Sequence, residues 1–151
     1  SYLFEMLVLE SFQAGLSWEC ILNKRENFRR AYDEFDLDRV CGYDEEKIAE
    51  LCSDSSIVRN KLKIRASISN ARIFRDIVKE QGSFYDYLCK FTDGEILYEC
   101  DKTTNEWSDR ISADLKKRGM KFVGSVIIYS FLQAVGVIYS HDSECGLYRE
   151  K

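Results

Sequence analysis

Apolar side chains recur at three- and four-residue steps along most of the chain, the spacing of one face of an α-helix, and polar breaks divide the pattern into segments. Tyr2 to Glu10 is apolar nearly throughout and predicts a buried helix, interrupted at Gln13-Ala14-Gly15-Leu16. Ser17 suits the N-cap of a second helix that runs to about Tyr32. Short helices are predicted from Asp36 to Val40 and from Asp44 to Cys52, the latter with Asp44, Glu45 and Glu46 at its positive end. Ser53 to Asn60 reads as a tight connection. Between Asn60 and Lys79, Ile64, Ile68, Ala71, Phe74 and Val78 share one face while Lys61, Arg65, Arg72 and Lys79 share another. That is an amphipathic helix of about five turns, stopped near Gly82.

Ser83 to Lys90 predicts a further short helix, and Thr92 to Asn105 is the least helical stretch, read as a surface excursion. Ser108 is expected to cap a helix that ends at Gly119 with Lys116, Lys117 and Arg118 in its last turn. Phe122 to Tyr139 is apolar on every face. Its length admits a membrane span, but Ser125, Ser130, Gln133 and two glycines dilute it, which favours a central core helix wrapped by the others. The chain has no proline, the residue helices tolerate worst. The expectation is an all-α single domain: a compact helical bundle around a buried C-terminal core helix.

Composition narrows the class. With 45% apolar and 32% charged residues in a chain of 151, a disordered tail, a fibre and a small disulfide scaffold are excluded. Cys20, Cys41, Cys52, Cys89, Cys100 and Cys145 form no CxxC pair and no signal-like segment opens the chain, so they read as reduced thiols of a cytoplasmic protein. Ser1 is not an initiator methionine and the first residues are already helical in pattern, so an N-terminal portion is expected to precede them. Charge is uneven: within a net charge of −4, residues 57 to 79 carry +6 and residues 115 to 121 carry +4. Two basic islands on an acidic chain fit either the docking of a polyanion or two solvated helix faces.

Several side chains could carry chemistry. Glu10 follows Leu7-Val8-Leu9 close to the glycine break, where a carboxylate either meets solvent at a helix end or lines a concavity beside the core. Trp18 lies near the start of the next helix. Arg59, Lys61 and Lys63 fall where a short connection enters the long helix. Backbone N–H groups of such a turn can grip a phosphate while the cations add attraction that is independent of base sequence. His141-x-x-x-Cys145 has the residue types of a zinc site but only two of the four ligands a closed site needs.

Three stretches together resemble one family: Leu3-Phe4-Glu5-Met6 through Leu9-Glu10 to Gln13-Ala14-Gly15-Leu16-Ser17-Trp18; Lys24-Arg25-Glu26-Asn27-Phe28; and Leu115-Lys116-Lys117-Arg118-Gly119-Met120-Lys121-Phe122-Val123-Gly124 into Tyr129-Ser130-Phe131-Leu132-Gln133-Ala134. With Asn70-Ala71-Arg72 they are similar to the 3-methyladenine DNA glycosylase I family, of the helix-hairpin-helix superfamily, in order and over nearly the whole chain.

The resemblance implies base-excision repair: a monofunctional hydrolase that releases 3-methyladenine from alkylated double-stranded DNA after turning the base out of the stack. It implies that Glu10 recognises the base and is the candidate catalytic group, that Trp18 and Ser130 line the pocket, and that Gln13, Gly15 and Leu16 fill the gap the base leaves. The phosphate-gripping hairpin falls on about residues 55 to 64, with Leu62 where the family often has glycine. Arg59, Lys61, Lys63, Lys116, Lys117, Arg118 and Lys121 are the expected DNA contacts. His141 and Cys145 match half of a structural zinc clasp whose other ligands lie near the N-terminus. A monomer without membrane association is expected. Because 3-methylated adenine in DNA is cationic, an aromatic face and an anionic side chain select it over neutral adenine. Two rival readings are a helix-hairpin-helix module that binds DNA without catalysis, and a helical interaction protein with no affinity for nucleic acid.

Overall fold

Most helices begin where a short polar side chain can satisfy their free N–H groups, α8, which starts at Gly124, being an exception. In a computed structural model that describes residues 2–13 and 17–140, Ser17 caps α2 (Trp18–Ala31), Asp36 caps α3 (Leu37–Cys41), Asp44 caps α4 (Glu45–Cys52), Asn60 caps α5 (Lys61–Gln81) and Ser83 caps α6 (Phe84–Thr92). In every case the side-chain oxygen accepts from the backbone N–H three residues on. The first helix, α1 (Tyr2–Gln13), is buried from Phe4 to Phe12 and packs against α2, α5 and α8 (Ser125–Ala134). A line of aromatic contacts runs through the core from Phe4 to Phe74, from Phe74 to Phe84 (centroids 4.2 Å apart, stacked) and on to Phe131 of α8. No helix among the described residues is long and apolar enough to cross a membrane.

Three expectations need correction. The helix α7 (Glu106–Lys117) is capped by Asn105, not by Ser108; Ser108 stands three residues later and returns the bond to the Asn105 N–H, which completes a capping box. The long apolar C-terminal stretch is not one helix. It begins as a turn, is helical only over α8, and leaves the helix at Val135 and Gly136, whose φ of +84° glycine adopts without steric cost. The β-branched Val137 and Ile138 then lead into β2 (Ile138–Ser140), which pairs in parallel with β1 (Leu97–Glu99), a strand inside the stretch read as an excursion. The fold is mostly helical, with this one two-stranded ribbon among the described residues.

Candidate active site

Two carboxylates are buried on α1, and they differ in one respect. Glu5 receives the Nε–H groups of both Arg25 and Arg29 of α2 at 2.8 Å. Burial opposes its charge, but the two guanidiniums outweigh that cost and hold its carboxyl below the usual range. Glu10 is 3% exposed, and its Oε1 has no hydrogen-bond partner among the described residues. Burial alone pushes its pKa up to about 7. A buried, unsatisfied carboxylate costs stability unless something outside the fold completes it. Of the two, Glu5 is held by the protein, whereas Glu10 Oε1 has no partner among the described residues.

Ser130 is half-buried on α8, the helix packed beside α1. The two helices run in opposite directions. The Tyr2 hydroxyl donates to the Ala134 carbonyl at one end, and Lys63 reaches both the Phe12 carbonyl and the Phe122 ring at the other. The chain thus brings the helix of Glu10 alongside the helix of Ser130. Next to Ser130, Tyr129 donates to Glu99 of β1 at 2.8 Å, which ties the far side of α8 to the ribbon. Gln13 ends α1 and is half-buried. Gly15, Leu16, His141, Cys145 and the Trp18 side chain lie outside the described residues.

The basic islands divide by what their charges touch. Arg59 and Lys61 are exposed beside the α4–α5 connection. Lys63, expected to face phosphate, is half-buried. Its ammonium sits 3.4 Å from the Phe12 carbonyl, at the negative end of α1, and 5.7 Å from the Phe122 ring. Further along α5, Arg65 grips Glu45 through two bonds of 2.7 and 2.8 Å, Arg72 donates to the Cys41 carbonyl and Arg75 pairs with Asp38. These cations fasten α5 to α3 and α4. In the second island Lys116, Lys117 and Lys121 are exposed, whereas Arg118 pairs with Asp114 at 2.9 Å and Glu80 at 3.1 Å and lies over the Tyr87 ring. Its guanidinium joins α7 to α5 and α6.

No group of three or more His, Cys, Asp or Glu side chains among the described residues gathers to hold a metal. An open groove of about 520 Å³ between α4 and α5, lined by Asp44, Glu45, Arg65 and Arg72 among others, includes neither Glu10 nor Ser130.

Sequence reasoning passed over Asn70 and Phe122 as individual groups. Asn70 is buried, and its amide both donates to the Lys121 carbonyl (2.8 Å) and accepts from the Lys121 N–H (3.0 Å), so α5 holds the turn that leads into α8. The signal was available: Asn70 falls on the core-facing side of α5 with Ser67 and Ala71, where a polar side chain requires a partner.

The model of the methyladenine glycosylase family matches residues 1–149. DNA-3-methyladenine glycosylase 1 of Escherichia coli K12 is 41% identical over 153 aligned residues, covering 97% of this chain and 81% of that protein. A crystal structure of 3-methyladenine DNA glycosylase I superposes with a TM-score of 0.88 at 40% identity, covering 95% of this chain and 82% of the other. The Staphylococcus aureus enzyme, in a structure concerned with its recognition of 3-methyladenine, gives 0.90 at 32% identity and covers 95% and 80%. On the extent of these matches, the chain belongs to the methyladenine glycosylase family.

Proposed function

We propose that this chain is a DNA-3-methyladenine glycosylase of base-excision repair, a hydrolase that cleaves the N-glycosidic bond of 3-methyladenine in double-stranded DNA. The single observation that carries the reading is Glu10: a carboxylate buried in the core, lacking a partner among the described residues, in a family whose relatives are named for a cationic lesion. A charge that the described residues leave uncompensated fits a ligand that arrives with the opposite charge.

The reaction needs little acid catalysis. Methylation at N3 already makes the base a cation, so the glycosidic bond breaks with its electron pair leaving on the base, which departs neutral. Water adds its hydroxyl to the sugar carbon and releases a proton. The protein's task is to extrude, select and hold the base. Glu10, ionised by the approaching cation, accepts a hydrogen bond from the base edge and lends negative charge beside the cationic sugar as it forms. Ser130 supports the pocket from α8. Trp18 is assigned to stack on the ring, and Gln13, Gly15 and Leu16 to the gap left in the duplex.

Further parts of the reading follow from the resemblance. The α4–α5 pair serves as the helix-hairpin-helix, with the Asn60-capped start of α5 and the exposed Arg59 and Lys61 towards phosphate; Lys116, Lys117 and Lys121 add a second contact. A structural zinc held in part by His141 and Cys145 takes no part in the reaction. The molecule acts as a monomer in the cytoplasm. The unpaired thiols of Cys20, Cys41, Cys52, Cys89 and Cys100 fit a reducing compartment.

The test is incubation with methylated duplex DNA and chromatographic identification of the free base. Release of 3-methyladenine is expected. Salt-sensitive DNA binding without release would instead favour the non-catalytic module.

A further inference from the structure

Phe122 combines features that the core does not require. It is not glycine, yet its φ is +60°, in the left-handed region that L-residues with side chains seldom enter. Its neighbours Met120 and Val123 are 4% and 0% exposed, whereas Phe122 is 39% exposed. A strained backbone that turns an aromatic ring outward, between two buried anchors, points to a use outside the fold.

The ring is also fixed in place. The backbone of Lys121 is clamped on both sides by the buried Asn70, the Val123 carbonyl accepts from Ser112 at 2.7 Å, and the Met120 N–H bonds the Leu115 carbonyl. Lys63 approaches the ring at 5.7 Å while holding the Phe12 carbonyl, so Phe122 stands where the start of α5, the end of α1 and the lead into α8 converge. The adjacent Lys121 is exposed, as are Arg59 and Lys61 at the start of α5. An aromatic face set among cations is the composition that stacks nucleic acid bases irrespective of their identity.

We propose that Phe122 is a DNA-contact residue whose ring stacks on a nucleotide flanking the extruded one. The inference rests on the glycosylase reading and deepens it. It adds to the binding surface a second, aromatic contact that carries no charge and is pre-positioned by Asn70.

The intact chain is tested as wild type, Phe122→Gly, Phe122→Trp and Lys121→Ala against a labelled duplex containing a tetrahydrofuran abasic analogue, with Kd measured across a salt series and Tm in parallel. Glycine suits a positive φ, so Phe122→Gly is expected to keep its Tm while binding about tenfold more weakly, the loss of one stacked base. Its salt slope stays at the wild-type value because no phosphate contact is removed, and Phe122→Trp restores affinity. Lys121→Ala, by contrast, flattens the slope by about one unit. Wild-type affinity in Phe122→Gly overturns the proposal, as does weakened binding accompanied by a lower Tm or a changed slope. If the wild type releases 3-methyladenine while Phe122→Gly binds DNA as tightly, this inference alone fails; if the wild type neither binds nor releases, the glycosylase reading fails with it.

Discussion

Glu5 and Glu10 share one helix and are 6% and 3% exposed, and what surrounds each decides its role. Two arginines complete Glu5, so it contributes to the fold; nothing described completes Glu10, so it is a cost the fold carries. That cost has a pH signature. The folded-state pKa of Glu10, about 7, lies above its ordinary 4.5. Between those values the folded protein holds a proton that the unfolded chain has released. The associated stability is therefore complete below pH 4.5 and is lost as pH rises through 7, by about 3 kcal/mol in all. Glu10→Gln is expected to unfold at a higher denaturant concentration than wild type at pH 8, the gap closing towards pH 5. Equal midpoints at pH 8 would show that the carboxylate is not isolated. The same titration reads in the opposite sense in catalysis, since the ionised form holds the cation. In wild type, kcat/KM for excision is expected to climb with pH and level off above about 7.

Most of the helices were legible in the chain because short polar caps and apolar spacing agreed: Ser17, Asp36, Asp44, Asn60 and Ser83 all sit where the periodic runs begin. The C-terminal stretch was not, because apolar residues on every face carry no period. Only Gly136 and the β-branched pair after it betray the change from helix to strand, and β1 lies far off in sequence. Charge alone does not sort the cations, for a related reason. Arg65, Arg72, Arg75 and Arg118 look alike in sequence to Arg59 and Lys61, but their partners, Glu45, the Cys41 carbonyl, Asp38 and Glu80, come from other elements. Salt titrations separate the two groups. Lys61→Ala is expected to flatten the dependence of DNA affinity on salt by about one unit, while Arg118→Ala leaves it unchanged and lowers Tm. A reduced slope in Arg118→Ala would place that side chain on DNA. The Asn70 clamp is an element-scale device as well. Asn70→Ala removes both bonds to Lys121 and is expected to destabilise by about 2 kcal/mol in equilibrium unfolding.

Across the whole molecule, α1 and α8 run antiparallel through the core with the Glu10 and Ser130 helices side by side, α5 holds α1 and the turn that leads into α8, and the exposed Arg59, Lys61 and Lys121 lie where α5 and α8 are entered. The candidate site was legible as far as family resemblance marked its positions; that Glu10 is buried with no partner for its Oε1 among the described residues was not, because burial is a property of the fold. In the proposed reaction this carboxylate serves the cationic base and not the duplex. Single-turnover excision of 3-methyladenine, with duplex Kd measured alongside for wild type and Glu10→Gln, tests that most directly. The expected result is excision slowed by about two orders of magnitude or more with Kd nearly unchanged. Excision at the wild-type rate, or a loss of DNA binding that matches the loss of rate, would contradict it.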